Sequence, residues 1–281
     1  NVGKSTLTNA LVGEKIAIVT NKPQTTRNRI CAILNRGESQ FVFVDTPGLH
    51  KARTRLGDYM VKVVKESVAD VDAVLLLVEP IPHIGGPEAE LIRRIKELNV
   101  PAVLVINKID TVEKEELLSV MQVYGAAHDF AAIVPISAKR NEGVDELLGL
   151  LAQFLPEGPQ LFPEDMVTDQ PERQVCAEII REKLLLCLDK EIPHGTAVEI
   201  TTFSERDDGI IDLDATIYCE KASHKGIIIG KGGAMLKKIS TLARTDIEAF
   251  MGTKVFLQTW VKVKENWRDS DVALSNFGYK E

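Results

Sequence analysis

The sequence predicts an α/β domain built on a mostly parallel sheet, followed by a smaller α+β domain. Three observations predict it. Apolar runs of strand length at 40–44, 102–106 and 132–136 each end in a short polar motif, with helix-like stretches between them. A proline-rich acidic stretch, Glu157-Gly158-Pro159-Gln160-Leu161-Phe162-Pro163-Glu164-Asp165, breaks that alternation. Beyond it the order changes to helix, strand, strand, short helix, helix, strand. A chain of 281 residues is more naturally two cores than one. The expected division is 1–156, a linker at 157–170, and a second domain over 171–281.

Taken in order, the chain opens on Asn1-Val2-Gly3-Lys4-Ser5-Thr6, the second half of the phosphate-loop pattern Gly-x-x-x-x-Gly-Lys-Ser/Thr. The leading glycine and its strand would precede residue 1. The expectation is a sequence lacking one sheet strand, with weakened nucleotide binding. A helix is predicted over 4–12. The first strand, 40–44, runs into Asp45-Thr46-Pro47-Gly48, and helices follow at 57–70 and 87–98. The strand at 102–106 runs into Asn107-Lys108-Ile109-Asp110, followed by a helix at 113–128. The strand at 132–136 runs into Ser137-Ala138-Lys139. An amphipathic helix at 144–155 stops at Pro156. Ligands bind at the carboxyl ends of strands in open parallel sheets, where every one of these motifs falls.

Each residue type suits a guanine nucleotide. Backbone N–H groups around Gly3 and the helix beginning there favour phosphate. Lys4 brings a point charge to the β and γ phosphates. The Ser5 hydroxyl is expected to ligate Mg²⁺, with Asp45 holding the ion through its water shell. Gly48 can offer its N–H to the γ-phosphate, so the segment after it, with Arg53, Arg55 and Gly57, can sense that group. Asp110 can accept from guanine N1–H and the exocyclic amine together. Adenine lacks that donor pair, and such a mismatch costs on the order of 10⁴-fold. Asn107 braces the loops, the Lys108 stem covers the base, and the Ala138 N–H is expected to meet guanine O6. Alone, Gly-Lys-Ser is often only a helix start and Asp-Thr-Pro-Gly only a turn. Their occurrence in order, each of the last three after a strand, carries the reading.

In the second domain an amphipathic helix is predicted over 172–190, strands over 197–203 and 210–219, a helix over 234–251 and a last strand over 255–263. Between strand and helix lies Lys225-Gly226-Ile227-Ile228-Ile229-Gly230-Lys231-Gly232-Gly233. An apolar turn leading into Gly-x-x-Gly and a helix marks a KH RNA-binding module, in which glycines admit a sugar–phosphate backbone closely. The bland alternative is a plain glycine turn, with Lys237 and Lys238 on a solvated helix face. From Glu220 to Arg268 there are ten Lys/Arg against four Asp/Glu, a local +6. The whole chain carries −7, so the remainder carries −13. A basic patch coinciding with the loop favours a polyanion, and Lys225, Gly226, Gly230, Lys231, Gly232, Gly233, Lys237 and Lys238 are its candidate RNA contacts.

Composition is that of a globular chain, 44% hydrophobic and 27% charged. Cys31, Cys176, Cys187 and Cys219 lack paired metal spacing and read as reduced thiols in apolar stretches. No run of about eighteen apolar residues is present.

With these motifs on view, the chain resembles the Era family of bacterial GTPases, a P-loop GTPase domain followed by a type II KH domain. The carrying residues are the phosphate loop, Pro23-Gln24-Thr25-Thr26-Arg27, Asp45-Thr46-Pro47-Gly48-Leu49-His50, Asn107-Lys108-Ile109-Asp110, Ser137-Ala138-Lys139, Gly230-Lys231-Gly232-Gly233 and the ending from Trp267-Arg268 to Phe277-Gly278-Tyr279. The resemblance implies GTP and GDP as ligands and slow GTP hydrolysis, with Lys4, Thr26 and Gly48 as the catalytic group. It also implies 16S ribosomal RNA and the 30S subunit as partners, a role in 30S assembly, and a monomer. The expected location is the cytoplasm, in part peripheral at the inner face of the cell membrane. Thr26 would complete the Mg²⁺ ligands with Ser5 and Asp45, and Thr25 is the rival for that role. Asn1 resembles a K⁺-coordinating asparagine. Leu49 stands where Ras-like enzymes carry a water-orienting glutamine, so another group, an ion or the ribosome must assist hydrolysis. Two alternatives stay open at this point: the last part of a double-G-domain assembly GTPase, and an RNA-binding protein with an inactive nucleotide domain.

Overall fold

A computed structural model describes residues 2–48, 54–67, 71–98 and 100–279. In chain order its elements are α1 (Lys4–Val12), β1 (Ile30–Arg36), β2 (Ser39–Asp45), α2 (Arg55–Ser67), β3 (Val74–Val78), α3 (Gly86–Leu98), β4 (Ala102–Ile106), α4 (Lys114–Ala127), β5 (Ala132–Pro135), α5 (Val144–Leu151), α6 (Glu172–Cys187), β6 (Ala197–Glu205), β7 (Ile211–Cys219), α7 (Ala222–Ile229), α8 (Ala234–Met251), β8 (Val255–Val263) and α9 (Asp271–Asn276). The chain forms two compact units, and neither is contiguous. Residues 2–16, 29–48, 63–67, 71–98 and 100–169 make the first; 17–28, 54–62 and 170–279 make the second.

In the first unit β3, β4 and β5 pair in parallel, in that order. All five residues of Ala-Val-Leu-Val-Ile in β4 are buried, as expected of a central parallel strand covered on both faces. The period of two separates them. Val103 and Val105 pack with Leu7 and Leu11 of α1 and with Val144, Leu147, Leu148 and Leu151 of α5. Ala102, Leu104 and Ile106 pack with Ile92 and Ile95 of α3 and with Val120 and Tyr124 of α4. Both helical layers are therefore fixed by alternate residues of one strand.

Here β2, read from sequence as a buried strand, pairs antiparallel with β1, a strand the sequence reading did not include. Its burial is intermittent, with Phe41 and Asp45 covered. The strand β3 was likewise not anticipated. The helix expected at 144–155 ends at Leu151 and closes with a 3₁₀ turn to Phe154. The helix expected at 57–70 begins earlier, at Arg55, and is helical through Ser67. The segment expected to be a linker lies along the β1–β2 hairpin. Asn35 Nδ2 donates to Glu164 O at 2.9 Å, and the Gln40 amide holds residues 161 and 162 from both sides. Ile33 N donates to Val167 O at 2.9 Å, and Ala32 bridges Thr168.

In the second unit β6 runs antiparallel to β7, and β7 parallel to β8. One face of this sheet packs under α6 and α8. Ile179, Ile180 and Leu184 of α6 and Ile239, Ala243 and Ile247 of α8 meet Leu213, Ala215 and Ile217 of β7, with Ile228 of α7 in the same core. Over Ala197 and Tyr218 on the other face lie Trp267, Phe277 and Tyr279 of the tail, together with Leu56, Tyr59 and Met60 of α2. Farther along β8, Phe256 and Trp260 remain 48% and 57% exposed. The first helix of this unit, expected to reach Lys190, ends at Cys187.

Candidate nucleotide and RNA sites

The phosphate loop turns into α1 at Gly3. Its φ of +96° is a left-handed value, and a Cβ there would sit 2.3 Å from Asn107 Nδ2, so only glycine fits. Gly3 makes no side-chain cap on α1, and a helix N-terminus favours an anion. Ser5 Oγ donates to Asp45 Oδ2 at 2.8 Å. These hard oxygens, one from a helix N-terminus and one from a strand end, are a donor set that suits Mg²⁺. Lys4 Nζ lies 3.6 Å from where a Cβ on Gly48 would be, so the Asp45-Thr46-Pro47-Gly48 turn closes over the lysine.

Asn107 is the brace. It is 3% exposed, its Nδ2 donates to Val2 O at 2.8 Å, and its Oδ1 accepts from Ala138 N at 3.0 Å. One amide thus ties the phosphate loop to the Ser137-Ala138-Lys139 loop. The Ala138 N–H, expected to meet guanine O6, faces Asn107 Oδ1. Asp110 Oδ1 accepts from Ser137 Oγ at 2.7 Å, and Arg140 Nε stands 3.7 Å from Oδ2. The Ser137 hydrogen bond holds the Asp110 carboxyl below its ordinary value, so it is ionised and aimed. Lys108 has φ +66°, and its ammonium pairs with Glu79, a residue at the end of β3 that the sequence reading missed. Its signal was available: an apolar run, 74–78, followed by a carboxylate, as at the other motifs. Gly143 was also missed. A Cβ there would meet Pro135 O at 2.7 Å, and this glycine turns the chain out of the base loop into α5.

Thr26 is buried, and it belongs to the second unit. Asn1, Leu49, His50 and Arg53 lie outside the described residues, so the K⁺ and missing-glutamine expectations carry no geometry here.

In the second unit α7 ends at Ile229 and is capped by Gly230, whose N–H donates to Gly226 O at 2.9 Å. Gly230 has φ +73°, and a Cβ would sit 2.7 Å from Met235 Cβ. Gly232 and Gly233 have φ +59° and +80° and face open space. The first glycine is thus required by packing and the next two by backbone conformation. Lys231, Gly232, Lys237 and Lys238 are exposed, Gly226 is exposed beside half-exposed Ile227, and Lys225 is partly covered. The N-terminus of the 18-residue helix α8 follows at once, with no side-chain cap and no acidic residue in its first turn. A glycine-lined, lysine-flanked surface ending on a helix N-terminus suits a sugar–phosphate chain.

Comparison with known proteins identifies both domains. Residues 1–108 match the family model described as 50S ribosome-binding GTPase, and residues 191–268 match a KH domain. GTPase Era of Ruminiclostridium cellulolyticum is 53% identical over 280 residues, covering 100% of this chain and 94% of that protein. GTPase Era of Clostridium kluyveri is 52% identical, covering 100% and 96%. Two solved structures superpose with a TM-score of 0.95 at 37% identity, each covering 100% of this chain and 96% of the other. One is a variant of Aquifex aeolicus Era bound to GDP·AlF4⁻, and the other is Era in complex with MgGDPNP and nucleotides 1506–1542 of 16S ribosomal RNA. The GTPase match, the KH match and full-length identity near one half lead to one conclusion: this chain belongs to the Era family of GTPases.

Proposed function

We propose that the chain is a GTP-dependent switch that binds 16S ribosomal RNA through its KH unit during 30S assembly. The observation that carries the nucleotide half is the Asp110–Ser137 pair held in register by Asn107. It presents an ionised carboxylate at the carboxyl end of a parallel sheet, where guanine offers two donors. In this reading Val2, Gly3, Lys4, Ser5 and Thr6 cradle the phosphates, and Thr46, Pro47 and Gly48 meet the γ-phosphate. Asn107, Lys108, Asp110, Ser137, Ala138 and Lys139 enclose the base. Ser5 would ligate Mg²⁺ and Asp45 would hold it through its water shell, and family resemblance alone adds Thr26 to the ligands. The ion would supply charge neutralisation on the β and γ oxygens. Lys4 and the Gly48 N–H would stabilise the phosphoryl group as it leaves.

The RNA half rests on the Gly230–Gly233 loop, its lysines, and the solved Era complex with a 16S fragment. K⁺ at Asn1, peripheral association with the inner membrane face and a monomeric state rest on family resemblance alone. Among the described residues no helix is long and apolar enough to cross a membrane.

The test is calorimetry on the full-length protein. GDP and GTP should bind in the presence of Mg²⁺ and ATP should not. Asp110→Asn should lose guanine and gain xanthine nucleotides, because an amide can donate to the xanthine O2. Binding of ATP as tight as that of GTP would overturn the reading.

A further inference from the structure

The open face of the KH sheet carries a row of side chains that the glycine loop does not account for. The strand β8 is an edge strand, paired with β7 alone. Its residues alternate between two faces. Val255 and Val261 join the core under α6 and α8, and Thr259 Oγ1 lies 2.8 Å from Ser240 Oγ of α8. Phe256, Gln258, Trp260 and Lys262 therefore face the other way, and all four are exposed. The tail residues Trp267, Phe277 and Tyr279 close this face over Ala197 and Tyr218, which pair in the row of Lys262. The rows of Trp260 and Phe256 stay open.

Exposed apolar residues are ordinary where they are scattered singly. These two share one strand face, about 13 Å apart at roughly 3.3 Å per strand residue. The ring of Phe256 already carries a planar cation. The Arg206 guanidinium lies 5.2 Å from its centroid, fixed by Nε donating to Asp212 Oδ2 at 2.7 Å. Among the described residues no ring or cation stacks on Trp260, which is 57% exposed. Charge follows the same strand. Residues 254–264 hold Lys254, Lys262 and Lys264 and no acidic residue. The rows beside them carry Asp214 on β7 and Glu199 on β6. A polyanion is thus admitted along β8 and turned back from the middle of the sheet.

The direction of β8 links this face to the glycine loop. The helix α8 packs antiparallel to the strand: Val255 N donates to Glu248 Oε1 at 3.1 Å, and Ser240 meets Thr259 farther on. The start of α8, next to Gly233, therefore lies toward the carboxyl end of β8, where Lys262 stands. An RNA strand leaving the loop over that edge meets Lys262 and then Trp260.

We propose that this open face is a second RNA subsite, in which Trp260 stacks an unpaired base and Lys262 meets a neighbouring phosphate. It takes nucleotides beyond the roughly four that a KH loop clamps. This rests on the reading of the Gly230–Gly233 loop as the RNA clamp.

The experiment is fluorescence anisotropy on the full-length protein with two labelled RNAs. The long one is the 16S fragment of nucleotides 1506–1542 found in the solved Era complex, and the short one is its tightest-binding tetranucleotide. Trp260→Ala should weaken the long RNA about tenfold, as for a lost base stack, and leave the short one within about twofold. Trp260→Phe, which keeps a ring, should recover most of that loss. Lys262→Ala should weaken the long RNA about threefold and lower its salt slope by about one. In the native protein the long RNA, and not the short one, should quench the emission of the exposed tryptophan. Equal losses for both RNAs in Trp260→Ala would mean a merely structural role. Unchanged affinity for the long RNA would overturn the subsite and leave this face to a protein partner. Lys231→Asp with Gly232→Asp separates the underlying reading. If that variant still binds the short RNA, the loop is not the clamp. If it loses the short RNA while Trp260→Ala keeps the long one, the subsite alone fails.

Discussion

At residue scale, the glycines of the KH loop look alike in sequence and differ in what they carry. Gly230→Ala would force a Cβ to 2.7 Å from Met235 while keeping a left-handed φ. The expected cost is about 2–4 kcal/mol, strain plus overpacking. Gly232→Ala meets open space and should cost only about 1 kcal/mol, the left-handed penalty. Thermal unfolding of the two variants checks the order. In the base loop, Ser137→Ala removes the hydrogen bond that holds Asp110 ionised and aimed. GDP affinity should fall about fivefold, as expected for the loss of one hydrogen bond at an open site. The sign for pH is fixed by the depressed carboxyl. Binding by the native protein should persist above the Asp110 folded value and fade as pH drops through it. In Ser137→Ala that fade should begin at higher pH, as titration calorimetry would read. The motif residues themselves were legible because each has a restricted chemical role. The partners of Asn107 were not. They lie 105 and 31 positions away, and no local pattern pairs them.

At element scale, sequence periodicity located α1, α8, β4 and β8 at their observed bounds, because each has one clear hydrophobic face or is buried throughout. It overlooked β1 and β3, and it read α6 as a simple amphipathic helix. The reason in α6 is chemical. Arg181, Glu182 and Lys183 are buried in mid-helix, where period-based reading expects solvent. Arg181 and Lys183 pair on the helix with Glu178 and Glu182, and the three also reach segment 17–28 and Asp246 of α8, partners that no local pattern supplies. The loop between α7 and α8 makes a testable element. Lys231→Asp with Gly232→Asp places two carboxylates on an exposed turn before a helix N-terminus. Single-stranded RNA binding should be lost in a gel-shift assay, with the melting temperature changed by only a few degrees. In the native protein RNA affinity should fall linearly on a log–log plot against salt, as counterion release requires.

At the scale of the whole molecule, the sequence reading placed one boundary near Pro156 and treated each domain as contiguous. Packing divides the chain otherwise, because residues 17–28 and 54–62 bury their apolar and charged groups against the second core. A piece spanning 171–281 would lack Leu56 and Met60, which cover Trp267, Ala273 and Phe277. Each loss removes about 1.5–3 kcal/mol of burial. The isolated piece should therefore unfold in calorimetry well below the same unit in the intact protein. Coincident transitions would show that those segments contribute nothing to its core.

The two tryptophans give this molecule a built-in optical readout. Trp267 is fully buried with its indole N–H on a carbonyl and a guanidinium over its ring, while Trp260 stands on β8 in water. Iodide should quench the red-shifted emission of Trp260 and leave the blue-shifted emission of Trp267 untouched. Withdrawal of Trp267 from its cluster with Phe277 and Tyr279 would then register as a shift to longer wavelength from a single buried fluorophore, with no label attached.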